Sequence, residues 1–156
     1  LISKGANANC KYTKEGYSPF LLSCWKGNIS IVSTLLETNA IDVNMPNYYS
    51  LDTAIIIASK FNHIDIVRML IEYGAYINSQ NINGYTALMY SCMFDKYDIF
   101  LYLLSCGADI SIRNNDGKDA FAISGEKSIK ETMQFISYFF SINIPTFLRI
   151  LECYFP

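Results

Sequence analysis

The feature that most constrains this chain is an internal repeat. A block with a turn residue, a Ser or Thr, two short apolar runs and a closing small residue starts near residues 16, 51 and 84. The Thr-type positions in register are Ser18, Thr53, Thr86 and Asp119, which are 35, 33 and 33 residues apart. A period in this range predicts a protein built from stacked repeats, each of which buries its apolar face against its neighbours.

The repeat register also predicts local structure. Ser18, Thr53, Thr86 and Asp119 each precede an apolar run and suit the N-cap role. First helices are expected over 19–26, 54–61, 87–94 and 120–127, and second helices over 29–38, 64–73 and 97–105. Gly27, Asn62 and Asp95, which follow the first three helices, tolerate the left-handed backbone that ends a helix.

These residues resemble one known family. The segments GYSPFLLSCWKGNISIVSTLLETNA, TAIIIASKFNHIDIVRMLIEYGAYIN and GYTALMYSCMFDKYDIFLYLLSCGAD are similar to ankyrin repeats. The resemblance implies an all-α solenoid of stacked helix-turn-helix units with short β-turn fingers. It implies an ankyrin domain over 1–140, with a repeat tail at 1–12, repeats at about 13–46, 47–80 and 81–113, and a divergent repeat at 114–140.

The chain also departs from the family pattern. Where the family usually has a His in its cap motif, the matching positions hold Leu21, Ile56, Met89 and Ala122. Leu51 replaces the turn glycine of the second repeat, and there is an extra residue near Ile41 and Asp42. We expect the second finger, residues 47–52, to deviate most.

The resemblance implies a non-catalytic module that binds a partner protein on the concave face formed by fingertips and first helices. An alternative is a regulatory or substrate-recruiting segment of a larger enzyme, channel or ubiquitin ligase adaptor. Carried over position by position, the partner-binding residues are Lys14, Glu15, Tyr17, Trp25, Lys26, Tyr49, Ser50, Asp52, Lys60, Phe61, Ile82, Asn83, Tyr85, Met93, Phe94, Asn115, Asp116 and Lys118.

Large aromatic residues recur at these positions, as the pairs Tyr17 with Trp25, Tyr49 with Phe61, and Tyr85 with Phe94. Trp and Tyr often dominate binding energy at interfaces. One interpretation is a single aromatic stripe for a partner. The other is that the rings pack on their own repeats, because 15% of the chain is aromatic. Burial of the Trp25, Phe61 and Phe94 rings between helices would exclude the stripe.

Catalytic and metal sites are not indicated. His63 is the single histidine, and it lies where the family commonly has a structural His. Cys24 and Cys92 occupy matching core positions and are expected to be buried and inert. The five cysteines contain no C-x-x-C pair, which argues against a disulfide framework or a zinc site. We expect no cofactor and no metal.

Charge and hydropathy limit the remaining possibilities. A net charge of −2 provides no basic field for nucleic acid. The uncharged stretch at 132–148 is 17 residues long and is interrupted by Gln134, Asn143 and Pro145. A membrane span needs about 20 apolar residues. Residues 141–156 are therefore predicted to be a capping segment or the start of a truncated neighbouring region. We expect a monomeric, intracellular and cytoplasmic protein.

Overall fold

The structure is a computed structural model that describes residues 13–14, 16–38 and 40–124. The predicted repeat tail, the end of the divergent repeat and the segment 141–156 lie outside these residues. Within the described residues there are seven helices and no strand. The helices are α1 (Pro19–Lys26), α2 (Ile29–Glu37), α3 (Ala54–Lys60), α4 (Ile64–Glu72), α5 (Ala87–Met93), α6 (Tyr97–Ser105) and α7 (Ala120–Ser124).

The helices form two layers. The first helices α1, α3, α5 and α7 pack side by side in chain order, as do the second helices α2, α4 and α6. Each first helix also packs against the second helix of its own repeat, where the repeat has one described. The stacked architecture predicted from the period and the all-α solenoid implied by the resemblance are therefore confirmed.

Three of the four predicted N-caps close a hydrogen bond at the start of a helix. The side chains of Ser18 and Thr86 accept from the backbone N–H three residues on, both at 3.2 Å, and that of Asp119 does so at 2.9 Å. Thr53 has the same extended backbone, but its hydroxyl is buried and has no hydrogen-bond partner among the described residues. The prediction that Thr53 caps its helix through its side chain is wrong, and nothing in the structure explains the difference.

The ends of the first helices follow the backbone preferences of the residues there. Gly27, Asn62 and Asp95 have φ of 69°, 64° and 54°, which is the left-handed conformation predicted for them. Helices α3 and α5 end at Lys60 and Met93, one residue before the predicted positions. The last residue of a helix commonly frays by this amount.

The core runs unbroken through the stack between the two layers. Val32, Val67 and Phe100 occupy the same position in successive second helices, and each is fully buried. Because every repeat exposes its apolar residues to the repeat on either side, no single repeat has a closed core.

Neighbouring fingers, meaning the turns that precede each first helix, are joined by backbone hydrogen bonds. The three bonds are Tyr48 N–H to Gly16 O at 3.3 Å, Ile82 N–H to Ser50 O at 2.8 Å, and Asn115 N–H to Asn83 O at 3.1 Å. The fingers therefore form a continuous row beside the first helices.

The second finger differs from the third and fourth, as expected. Asn47 N–H bonds to the carbonyl of Asp52, five residues on, whereas the equivalent bonds from Asn81 and Asn114 reach only four residues on. Leu51 has a φ of 56°, so a branched residue adopts the conformation that glycine has in the other fingers. This finger accommodates one additional residue at the cost of backbone strain.

Candidate partner-binding face

The residues predicted to bind a partner lie in the fingers and at the ends of the first helices, on what we call the finger face. The exposed ones are Lys14, Trp25, Lys26, Tyr49, Phe61, Ile82, Asn83, Phe94, Asn115, Asp116 and Lys118. The half-buried ones are Tyr17, Ser50, Lys60, Tyr85 and Met93, and Asp52 is buried. Glu15 lies outside the described residues.

The aromatic residues of the first two repeats contact each other in sequence. The rings of Tyr17 and Trp25 stack with centroids 5.7 Å apart and planes at 19°. Trp25 then meets Phe61 of the next repeat, at 5.9 Å and 57°. These are favourable separations for aromatic pairs, so the ring contact crosses from one repeat to the next.

A second set of rings continues in the third repeat. Tyr85 lies 5.3 Å from Tyr90, and Tyr90 stacks on Phe94 at 6.1 Å with planes at 7°. The ammonium nitrogen of Lys60 lies 5.9 Å from the Phe61 centroid and 5.2 Å from the Tyr90 centroid, so it joins the two sets. We call this run the aromatic ladder; it consists of Tyr17, Trp25, Phe61, Tyr85, Tyr90 and Phe94.

The pairing within the ladder differs in part from the sequence-based prediction. Tyr17 does pair with Trp25, whereas Tyr85 and Phe94 are linked through Tyr90, which the sequence analysis missed. Tyr90 lies four residues before Phe94, one helical turn away, and this spacing could have revealed it. Tyr49 packs edge-on against Tyr48 at 5.0 Å, on the enlarged second finger.

Three rings of the ladder are partly exposed to solvent. Trp25, Phe61 and Phe94 retain 37%, 43% and 42% of their surface in solvent. These three rings are not buried between helices. Their burial would have excluded the aromatic stripe, so the stripe interpretation stays open.

A buried polar network supports Tyr90 from below. Asp52 accepts from the Ser50 hydroxyl at 2.6 Å and from the Asn81 side-chain amide at 2.8 Å, and the same Asn81 nitrogen lies 3.1 Å from the Tyr90 hydroxyl. Burial, and then the negative charge of Asp52, raise the pKa of Tyr90. Asp52 is thus placed to hold fingers two and three together beneath the ladder.

His63 supports the ladder at Trp25. Its Nε2 lies 3.1 Å from the Trp25 carbonyl oxygen, across the boundary between repeats one and two. The ring occupies the space over Gly27, where a Cβ would come within 2.5 Å of His63 Cε1. This contact agrees with the structural role predicted for His63.

Comparison with known proteins decides the family. The family model described as Ankyrin repeats (3 copies) matches residues 49–114, and the model described as Ankyrin repeat matches residues 15–48. The chain belongs to the ankyrin repeat family. Ankyrin repeats are generally protein–protein interaction modules, and they are generally non-catalytic.

Individual relatives match about half of this chain, and the chain spans 3–55% of their length. Alpha-latrocrustotoxin-Lt1a of Latrodectus tredecimguttatus is 36% identical over 80 residues, covering 51% of this chain and 5% of that protein. The ankyrin repeat and KH domain-containing protein mask-1 of Caenorhabditis elegans is 35% identical over 88 residues, covering 55% and 3%. A putative ankyrin repeat protein of Rickettsia bellii is 29% identical over 93 residues, covering 56% and 55%.

At the usual cap-motif His position this ankyrin chain has apolar residues, which are buried in the first three repeats, whereas Ala122 of the fourth is exposed. Leu21, Ile56 and Met89 are each at most 1% exposed. Their burial between successive first helices contributes apolar area to the stack, by roughly 1.5–3 kcal/mol for each side chain.

The two buried cysteines of the core are protonated thiols. Cys24 and Cys92 are fully buried, and burial raises the pKa of each thiol to about 12. Within the part of the chain that the structure describes, no three His, Cys, Asp or Glu side chains cluster as metal ligands would. No described helix is long and apolar enough to cross a membrane.

Proposed function

We propose that this ankyrin domain binds a partner protein on its finger face and that the aromatic ladder provides the central contacts. The observation that supports this is a run of ring contacts, from Tyr17 through Trp25 to Phe61 and from Tyr85 through Tyr90 to Phe94, joined by Lys60 across three repeats. Large rings at the centre of an interface typically contribute about 2 kcal/mol or more each when they are replaced by alanine.

Fold stability alone does not account for these rings. An aromatic residue that serves only its own repeat gains most when it is fully buried, as Phe20 and Phe100 are at 1% and 0% exposure. Trp25, Phe61 and Phe94 instead leave a large apolar area in water while remaining in contact with one another or with a neighbouring ring. Such a connected apolar surface is typical of an interaction site.

The experiment compares two quadruple alanine variants with the wild type as bait in the lysate of the cells that produce the protein. The ladder variant replaces Tyr17, Trp25, Phe61 and Phe94. The control variant replaces Ile29, Ile31, Tyr73 and Tyr97, which are 42–48% exposed and belong to the second helices or their ends. Circular dichroism establishes that both variants keep the helical fold.

We expect a protein that is recovered with the wild type and with the control variant to be lost with the ladder variant. Equal recovery of every bound protein by all three baits contradicts the proposal. The same face would also serve the alternative function, in which the domain recruits a substrate or regulator for a larger protein.

A further inference from the structure

Charged residues are divided unequally between the two helix layers. Helices α1, α3 and α5 contain Lys26 and Lys60 and no acidic residue. The second helices contain one cation, Arg68, and four acidic residues, which are Glu37, Asp65, Glu72 and Asp98. The whole chain has a net charge of −2, yet the first-helix layer beside the fingers is locally positive.

Both lysines of this layer sit on the aromatic ladder. The Lys26 ammonium lies 4.5 Å from the Trp25 centroid, and the Lys60 ammonium lies over Phe61 and Tyr90. Among the described residues neither lysine has a carboxylate within 4.0 Å, the single such ion pair being Arg113 with Asp119. The ring contacts thus place two positive charges at the ladder surface, and no carboxylate of the described residues pairs with either lysine.

Among the described residues, the carboxylates nearest the ladder do not form ion pairs with the two lysines. Asp52 is 5% exposed, and its carboxylate oxygens accept from Ser50 and Asn81. Asp95 is exposed, but it follows Phe94 at the far end of the ladder. The ladder surface therefore carries the two ammonium groups, while the Asp52 carboxylate lies buried beneath Tyr90 and Asp95 lies beyond Phe94.

We propose that the ladder binds an acidic, apolar peptide segment of the partner, with carboxylates three residues apart that meet Lys26 and Lys60. This rests on the proposed function and adds the chemistry of the bound segment. The aliphatic or aromatic side chains of the segment pack on the rings, and its carboxylates form charge-assisted hydrogen bonds with the two ammonium groups.

The spacing follows from the geometry of the stack. Helices α1 and α3 are packed neighbours, and packed helices lie about 8–10 Å apart. A polyproline-II segment repeats its side-chain direction every three residues, over about 9 Å, and such segments commonly dock on aromatic grooves. Carboxylates at positions i and i+3 are therefore separated by about the distance between adjacent first helices, from which Lys26 and Lys60 come.

The first test selects ligands without prior assumption. A phage library of random 12-residue peptides is selected on the full chain. Phage that also bind the ladder variant, in which alanine replaces Tyr17, Trp25, Phe61 and Phe94, are then removed. We expect the retained peptides to be enriched in Asp or Glu at i and i+3 with apolar residues between. Retention of neutral or basic peptides overturns the charge inference while leaving the ladder as a binding face. Absence of any ladder-dependent peptide overturns both proposals.

The second test measures the most enriched peptide, made synthetically, by titration of intrinsic fluorescence. Trp25 is the single Trp of the chain, so its emission reports on the ladder itself. We expect the double variant Lys26→Gln, Lys60→Gln to bind the peptide at least about tenfold more weakly at low salt, and the difference to shrink to about threefold or less near 1 M salt.

The matched control removes two charges from the other layer, through Asp65→Asn and Glu72→Gln. Its affinity is expected to stay within about twofold of the wild type at about 0.15 M salt, where a Debye length of about 8 Å screens charges on the other layer, and the lysine variant is also measured there. Equal affinities of the wild type and the double lysine variant overturn the inference. An unchanged far-UV circular dichroism spectrum and urea midpoint of the free lysine variant show that any loss of binding does not come from a disturbed fold.

Discussion

Replacing Ser59 with cysteine is expected to stabilise the protein. Cys24, Ser59 and Cys92 occupy the same position of successive first helices, and all three are 0% exposed. The Ser59 hydroxyl has no hydrogen-bond partner among the described residues. A buried polar group left without a partner costs about 1–3 kcal/mol. A thiol is a weak hydrogen-bonding group that behaves as a small apolar side chain, and the other two repeats already accommodate it.

The expected gain in the free energy of unfolding is about 1–2 kcal/mol. It is smaller than the full cost of the unpaired hydroxyl because sulfur is larger than oxygen and must be accommodated. For a chain of this size such a gain raises Tm by roughly 2–8 °C. Urea denaturation followed by circular dichroism, with a reducing agent present, measures the change.

Ser91 is the matched control. It is also 0% exposed, but its hydroxyl donates to the Leu88 carbonyl at 2.7 Å. Ser91→Ala removes a bond that is made, so we expect a loss of about 0.5–1.5 kcal/mol. A Ser59→Cys protein that is no more stable than the wild type would refute the argument that the unpaired hydroxyl carries a cost.

Two further predictions concern backbone strain and thiol burial. Leu51 has a φ of 56°, and this left-handed conformation costs an L-residue about 1–2 kcal/mol. We therefore expect the Leu51→Gly protein to be more stable than the Leu51→Ala protein by about 0.5–1 kcal/mol, the reverse of the order in helices. Urea midpoints that show the alanine variant to be equally or more stable would contradict this. In native protein at pH 8, iodoacetamide should modify exposed Cys106 and spare Cys24 and Cys92, whose pKa of about 12 and burial keep them as protected thiols. Rapid native labelling of Cys24 or Cys92, detected by peptide mass spectrometry, would contradict their assignment to the core.

The same pKa shift gives these thiols a pH dependence. Because burial raises the pKa above that of the unfolded chain, the unfolded state loses its protons first as pH rises. Their contribution to stability is therefore fully present below about pH 9 and is lost as pH approaches 12.

The helices could be predicted from sequence because their signals are local. A residue such as Ser18 or Thr86 accepts from the backbone three residues away, and Gly27 or Asn62 ends a helix by its own conformational preference. The period then places each helix beside its counterpart. Local capping chemistry and one repeat length are therefore sufficient to predict the helices. Thr53 also begins its helix as predicted, but without the expected side-chain hydrogen bond.

The ladder could be predicted only in part, because its contacts depend on rotamers and on neighbours from other repeats. The position of Phe61 is set by the repeat register, but its ring meets Trp25 rather than Tyr49. One of the two additional residues between Ser18 and Thr53 enlarges the second finger, and Tyr49 there pairs with Tyr48. An insertion shifts side chains within its own loop without disturbing the helix stack.

The buried hydrogen-bond network beneath the ladder holds the Tyr90 ring in place. Asp52 belongs to the second finger, Asn81 to the third and Tyr90 to α5, and their hydrogen bonds join three segments under one ring. The bond between His63 and the Trp25 carbonyl oxygen joins the first two repeats in a similar way. The Tyr90 ring is thus held by hydrogen bonds within the folded chain. Immobilising a side chain at an interface costs about 0.5–1.5 kcal/mol, so we expect this network to reduce the cost of binding at the ladder. Asn81→Ala should therefore weaken binding of a ladder-dependent peptide even though Asn81 itself is buried and cannot touch it.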